Sequence, residues 1–187
     1  MKMIRVTDNR QELRRIRKLY LEAFPANERF PFFLMVQKAR KGRGELWSLY
    51  KDNTWAGMAY VISHNELRYL FYFAIAPSLR GKGCGTAALT AIKKHYAGCR
   101  LFLALEQQDP AAPNREQREK RRRFYQNSGL HDLPYLLKEA SMIYAIMGNS
   151  EKIEPGEYKE LMNAYLGFPM RCFLDTRILT DVPSRLK

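Results

Sequence analysis

The chain is 187 residues long, with 46% hydrophobic residues and a formal net charge of +13. That length suits one domain with a real core, the apolar content argues against disorder, and no apolar run approaches the ~20 residues of a membrane-spanning helix. A charge this large attracts polyanions and is compatible with a phosphorylated cofactor, nucleic acid or an acidic protein, without choosing among them.

Residues 2–6 read as a short first strand, too short and too polar to be a signal peptide. Asp8 can cap a helix, with Gln11 as its capping-box partner. Leu13, Ile16, Leu19, Tyr20, Ala23 and Phe24 then recur at helical spacing until Pro25. A second helix is expected between Pro31 and Gly42, with Phe32, Met35, Val36 and Ala39 on its buried face. Strands are expected at 45–50, 54–63 and 66–76, separated by Asp52-Asn53 and His64-Asn65, which makes an antiparallel meander. Pro77 ends the third strand, because proline donates no ladder hydrogen bond.

Next come Arg80-Gly81-Lys82-Gly83-Cys84-Gly85 and a helix at roughly 86–97 that ends at Gly98. Arg100 to Leu105 is apolar and bounded, so it reads as a strand reached by a right-handed crossover. A loop from Glu106 to Pro113 leads to Asn114, which can cap a helix with Gln117 in the capping-box position. That helix runs to about Ser128, with Gly129 as its C-cap and Leu130 packing behind. Residues 133–138 and 141–147 are strand candidates. A last helix starts at Pro155, with Tyr158, Leu161, Met162 and Tyr165 on one face, and ends at Gly167. The tail 168–187 has no clear period. Phe168, Cys172, Phe173, Leu174, Ile178 and Leu179 give it apolar weight, which suits docking on the body or on a second subunit of a homodimer. No repeat, linker or low-complexity segment argues for a second domain, so residues 1–187 read as one.

Strand, glycine-rich loop and helix together form an anion site. Backbone N–H groups can approach a phosphate closely, the helix start contributes roughly half a positive charge, and Arg80 and Lys82 add full ones. A Walker A loop would need Ser or Thr after Lys82, where Gly83 stands. A dinucleotide fingerprint would need Gly-x-Gly-x-x-Gly, whereas Gly81, Gly83 and Gly85 are spaced Gly-x-Gly-x-Gly. The pattern that fits is Arg-x-x-Gly-x-Gly, formed by Arg80, Gly83 and Gly85. With Phe73-Ala74-Ile75-Ala76-Pro77 before it, this resembles the acetyl-CoA pyrophosphate loop of the GNAT superfamily of N-acyltransferases. A second segment, Arg123-Phe124-Tyr125-Gln126-Asn127-Ser128-Gly129-Leu130, resembles that family's helix-ending Phe-Tyr-x-x-x-Gly-hydrophobic motif. The order of elements matches along most of residues 1–147, and 150–187 fall outside the match.

The resemblance implies an α/β (α+β) fold: a mixed, mostly antiparallel sheet flanked by helices, with two splayed parallel strands at its centre. It implies acetyl-CoA as co-substrate, and an amine of a small molecule or peptide as acceptor, attacking the thioester directly. Backbone groups of Phe73, Ala74 and Ile75 would hold the pantetheine arm, with the Ile75 N–H facing the oxyanion. Arg80, Gly81, Lys82, Gly83, Cys84, Gly85 and Thr86 would hold the pyrophosphate, and Asn114 and Tyr125 complete the cofactor set. Tyr125 is the expected general acid, because a phenol keeps its proton at neutral pH. Glu106, at a strand end where α/β clefts open, is the expected general base, with Glu66 and Glu28 as weaker candidates.

Other residues read blandly. Cys84 lies in the phosphate loop with no His beside it in sequence, so it is not expected to be a nucleophile. His64, His95 and His131 are scattered and suggest no metal site. Three cysteines without CxxC spacing suggest neither disulfides nor zinc, and point to a reducing cytoplasm. Residues 115–123 hold six basic side chains against Glu116 and Glu119. The competing reading uses that segment and the N-terminal basic helix as a nucleic-acid or acidic-partner surface on the same scaffold. The lack of interleaved aromatic residues argues against nucleic acid. A donor with an acyl chain longer than acetyl also fits the sequence.

Overall fold

The computed structural model describes residues 1–139, 142–168 and 176–179. Its contacts divide the chain into one unit of Met1–Ser63 and Tyr69–Ala97, and another of His64–Arg68 and the described residues from Gly98 onward.

The first unit holds β1 (Lys2–Arg5), α1 (Arg10–Ala23), α2 (Phe32–Arg40), β2 (Glu45–Lys51), β3 (Thr54–His64), most of β4 (Leu67–Ile75) and α3 (Cys84–His95). Its strands lie in the order β1-β2-β3-β4. β2 runs antiparallel to both β1 and β3. Asp52 and Asn53 both have positive φ, which matches a two-residue hairpin turn to the right-handed twist of β2 and β3.

α1 is capped by Asn9, whose Oδ1 accepts the N–H groups of Gln11 and Glu12 at 3.0 and 3.1 Å. Asp8, the expected cap, instead pairs with Arg40 at 2.9 Å. The cap belongs to the residue directly before the helix, and Asp8 sits one position too early to reach those donors. α1 buries Ile16, Leu19 and Tyr20, and also Glu12. Buried carboxylates need donors, and Glu12 has them: Ser48 Oγ at 2.5 Å and Tyr50 Oη at 2.6 Å. Met35, Leu46, Leu49, Met58, Tyr60 and Ile62 complete a dry core between the helices and the sheet.

The second unit holds β5 (Arg100–Glu106), α4 (Arg115–Asn127), β6 (His131–Glu139), β7 (Met142–Gly148), α5 (Pro155–Leu166) and β8 (Thr176–Leu179). Its strand order is β5-β7-β6-β8, antiparallel throughout. β6 starts two residues earlier than its sequence pattern suggests. Its register slips between Asp132 and Leu136, around Pro134, which lacks the N–H a regular ladder needs. β8 lies in the tail, where the sequence shows no period, and it pairs with β6. Residues Ser141, Cys172, Phe173 and Leu174 lie outside the described residues. α5 opens on a reciprocal capping box between Glu154 and Glu157. Arg100 clamps Glu157 through two hydrogen bonds, at 2.8 and 2.6 Å, which ties β5 to α5. Among the described residues no helix is long and apolar enough to cross a membrane.

Candidate functional site

The glycine loop belongs to the first unit. A 3-10 turn at Pro77–Leu79 follows β4, and Arg80 then folds back so that its Nε donates to the Ile75 carbonyl at 3.0 Å. Lys82 Nζ donates to the Ser78 carbonyl at 2.9 Å. Gly81 and Gly83 have φ of +72° and +71°, the left-handed region. A Cβ at either position would meet nothing within 4 Å. Glycine is therefore required here by backbone conformation, and the loop stays open on the side where side chains would stand. Gly83 is the N-cap of α3 and offers no side-chain cap. Helix starts leave their first N–H groups without intrahelical partners, so those of Cys84, Gly85 and Thr86 are placed to meet an anion. The Cys84 side chain itself is buried.

β4 reaches the loop through a close approach that sequence reading passed over. A Cβ on Gly57 would lie 2.2 Å from the Ala74 carbonyl oxygen and 3.0 Å from Ile75 Cα. The pairing of β2 with β3 jumps there: Leu49 faces Gly57 and Tyr50 faces Trp55, so Ala56 bulges. The Ala56 carbonyl accepts the Ala76 N–H at 2.9 Å. Gly57 and the bulge thus fix the backbone of Ala74, Ile75 and Ala76, which carries both the expected oxyanion donor and the anchor for Arg80. A lone glycine inside a strand pattern is the signal that could have found it.

Glu106, Asn114 and Tyr125 lie in the second unit. Glu106 is the last residue of β5 and is buried. Its Oε1 pairs with Arg118 at 3.0 Å and accepts from Asn114 Nδ2 at 3.3 Å, while its Oε2 is bound by Arg121. Asn114 precedes α4 but makes no side-chain cap, so the expected capping box with Gln117 does not form. Its Oδ1 accepts from Arg118 Nε at 2.8 Å instead. A guanidinium within reach competes better for that oxygen than a backbone N–H does.

Tyr125 is buried near the end of α4. The expected C-cap is present in full: Gly129 has φ +79°, its N–H donates to Gln126, and the Leu130 N–H donates to the Tyr125 carbonyl at 3.1 Å. The cap therefore holds the backbone of Tyr125 itself. Burial pushes its hydroxyl up to about 12, against a smaller downward pull from Arg121, so the phenol keeps its proton well beyond neutral pH.

All six basic side chains of 115–123 are ion-paired: Arg115 and Arg123 to Glu119, Lys120 to Glu116, Arg118 and Arg121 to Glu106, and Arg122 to Asp132. Four carboxylates thus face six cations, which lowers the net charge of this surface without cancelling it. Most of the excess charge lies elsewhere. Residues 1–63 and 69–97 carry 17 Lys and Arg against 6 Asp and Glu, whereas the remainder carries 15 against 13. His95 packs edge-on against Trp47, His64 lies at the end of β3 and His131 opens β6. Among the described residues no group of three His, Cys, Asp or Glu side chains could hold a metal ion.

The model of the GNAT acetyltransferase family matches residues 13–130. No curated protein matches the sequence. Solved structures share the fold at low identity. A protein from Bacteroides thetaiotaomicron, described as a GNAT-family acetyltransferase, is 20% identical with a TM-score of 0.68, covering 89% of this chain and 96% of its own. An aminoglycoside 6'-N-acetyltransferase complexed with coenzyme A is 14% identical with a TM-score of 0.62, covering 83% and 99%. The ribosomal-protein-S18-alanine N-acetyltransferase of Escherichia coli is 15% identical with a TM-score of 0.57, covering 82% and 99%.

Proposed function

This chain belongs to the GNAT acetyltransferase family, and we propose that it moves an acetyl group from acetyl-CoA to an amine of a small molecule or peptide by direct attack. The observation that carries this reading is the loop at the start of α3. Two left-handed glycines, Gly81 and Gly83, open the first turn of a helix that no side chain caps, directly after β4. A pyrophosphate is the group such a turn accepts best, because its charge meets several N–H dipoles at once. A family structure with coenzyme A bound supports the choice of donor.

In the reaction, the amine nitrogen attacks the thioester carbonyl carbon. The oxyanion faces the Ile75 N–H, a contribution of about 3 kcal/mol when such a donor is fixed in place. The C–S bond then breaks, and the thiolate takes its proton from the Tyr125 hydroxyl, which regains one from solvent. Burial keeps Tyr125 protonated at neutral pH and also makes it a weaker donor than an exposed phenol.

The proton lost by the amine is a separate matter. Both oxygens of Glu106 are held by guanidinium groups. To accept a proton it must give up a charge-assisted hydrogen bond, each worth about 1.5–3 kcal/mol. This geometry favours Glu106 as the anchor of Arg118 and Arg121 on α4 over Glu106 as the base.

The test is calorimetry with acetyl-CoA and longer acyl-CoA donors, followed by thiol release against a panel of primary amines. Micromolar binding of acetyl-CoA and amine-dependent thiol release are expected. Failure to bind any acyl-CoA would falsify the proposal.

A further inference from the structure

A pocket of about 530 Å³ opens in the first unit, between α1, α2 and the segment that joins them. That volume lies in the range of small-molecule sites. Its lining combines two features that are unusual on a surface. Leu21 and Phe33 are 41% and 71% exposed, two of the four large apolar side chains most exposed among the described residues. Phe30, Phe32 and Val36 extend the apolar floor. Among the described residues, the charged side chains in the lining are Arg17, Arg29 and Arg40, with no carboxylate beside them.

The joining segment is fixed in place. Tyr72 Oη donates to the Glu28 carbonyl at 2.7 Å and accepts the Phe30 N–H at 2.8 Å, while Tyr20 Oη donates to the Phe30 carbonyl at 2.8 Å. Burial holds both phenols in their protonated, donating form. The wall that carries Arg29 and Phe30 is thus preorganised before any ligand arrives.

The charged side chains that face a ligand are all donors. The Tyr20 hydroxyl is directed at Phe30, and Arg40 is held by Asp8 and the Thr7 carbonyl at 2.9 and 3.1 Å. Arg17 and Arg29 have no acidic partner among the described residues. A guanidinium presents a planar fork of N–H donors that matches a carboxylate in two places. The exposed ring of Phe33 beside it needs an apolar body to cover it. The surrounding field has the same sign, because this unit carries nearly all of the chain's excess positive charge.

We propose that this pocket binds an organic carboxylate with an aromatic or branched apolar body, held by Arg17 and Arg29 against Phe30 and Phe33. The site shares no residue with the glycine loop, so its occupancy is read separately from acetyl-CoA binding.

The test is a ¹H–¹⁵N correlation titration of the full chain at constant ionic strength with 2-naphthylacetate, its neutral amide and plain acetate. The acid is expected to shift the amides of Arg29, Phe33 and Val36 saturably. Its Kd should be at least tenfold below that of the amide, and acetate should leave these amides unmoved over the same range. Arg29→Gln and Phe33→Ser change side chains that stand clear of the core. Each is expected to weaken the acid at least tenfold, with the remaining spectrum and acetyl-CoA affinity unchanged. Equal affinity for acid and amide, no saturable shift in the pocket, or shifts confined to 80–86 would each overturn the proposal.

Discussion

Gly57→Ala tests whether the backbone that feeds the glycine loop is set by one close approach. The new Cβ would lie 2.2 Å from the Ala74 oxygen, where ordinary contact begins at 3.4 Å. The obstacle is backbone, so relief needs a displacement of about 1 Å in β3 or β4, and no side chain can rotate out of the way. Overfilling a packed site costs about 1–3 kcal/mol. For a chain of this length each kcal/mol lowers Tm by roughly 2–4 °C, so a fall of roughly 2–12 °C is expected. The functional cost is larger, because Ile75 carries the N–H assigned to the oxyanion: a 1 Å error there is worth about a hundredfold in kcat/KM. The assay pairs thermal unfolding by circular dichroism with thiol release at saturating acetyl-CoA. Gly42→Ala is the control, since its φ is +70° but its Cβ meets nothing within 4 Å. It should lose stability through strain alone and keep wild-type turnover. If Gly57→Ala unfolds within about 1 °C of wild type and turns over normally, the close approach has no role in positioning Ile75.

Other perturbations separate the remaining assignments. Gly83→Ala forces a side chain into the left-handed region, which costs about 1–2 kcal/mol; calorimetry should show acetyl-CoA affinity falling at least tenfold while the fold persists. Tyr125→Phe should lower kcat by about 10²-fold or more with little change in acetyl-CoA Kd; a collapse in affinity with unchanged turnover per bound donor would make Tyr125 a packing residue. Because its hydroxyl is raised to about 12, wild-type kcat should show no alkaline limb from Tyr125 below pH ~10. A limb near pH 9 that vanishes in Tyr125→Phe would contradict that. Glu106→Gln removes the charge that Arg118 and Arg121 face, but Arg118 keeps Asn114 and the Gln107 carbonyl and Arg121 is 44% exposed, so it should cost about 1–3 kcal/mol in urea unfolding. The anchor reading further requires an unchanged acidic limb of kcat, whereas a lost limb would restore Glu106 as the base. The Arg100 hydrogen bonds hold the Glu157 carboxyl below its ordinary value. A lowered folded-state pKa gives stability that is present above the unfolded value and lost as pH falls through the folded one. Wild type should therefore lose its Tm advantage over Glu157→Gln below pH ~4, and a constant advantage would rule the pair out as its source.

The fold was legible where one element's pattern decides its state alone. The α4 cap is an example: Gly129 and Leu130 state in sequence a geometry that closes locally on Gln126 and Tyr125. The N-caps show the limit. Asp8 and Asn114 are both good capping residues, yet Asp8 stands one position before the cap and pairs with Arg40, and Asn114 is claimed by Arg118 one turn further along α4. A guanidinium outcompetes a backbone N–H for such an oxygen, and the partner of Asp8 lies 32 residues further on, outside any local window. β8 escaped notice for a related reason. Four residues carry too short a period to read, and their state comes from pairing with β6.

The site divides along the same line. Gly81 and Gly83 were readable because left-handed φ leaves a residue-type signature, and their spacing excluded competing phosphate motifs. Gly57 bears on the same backbone but works through Ala74, seventeen residues away in sequence, so its reason appears only when β3 and β4 are side by side. Charge shows this most clearly. In sequence, residues 115–123 and the N-terminal helix both read as candidate basic surfaces. Folding separates the two, because Glu106, Glu116, Glu119 and Asp132 pair with the first, while Arg17 keeps no acidic partner among the described residues and joins Arg29 at an aromatic pocket. A count of charges along a chain measures supply, and only the positions of the carboxylates decide which of those charges remain available to a ligand.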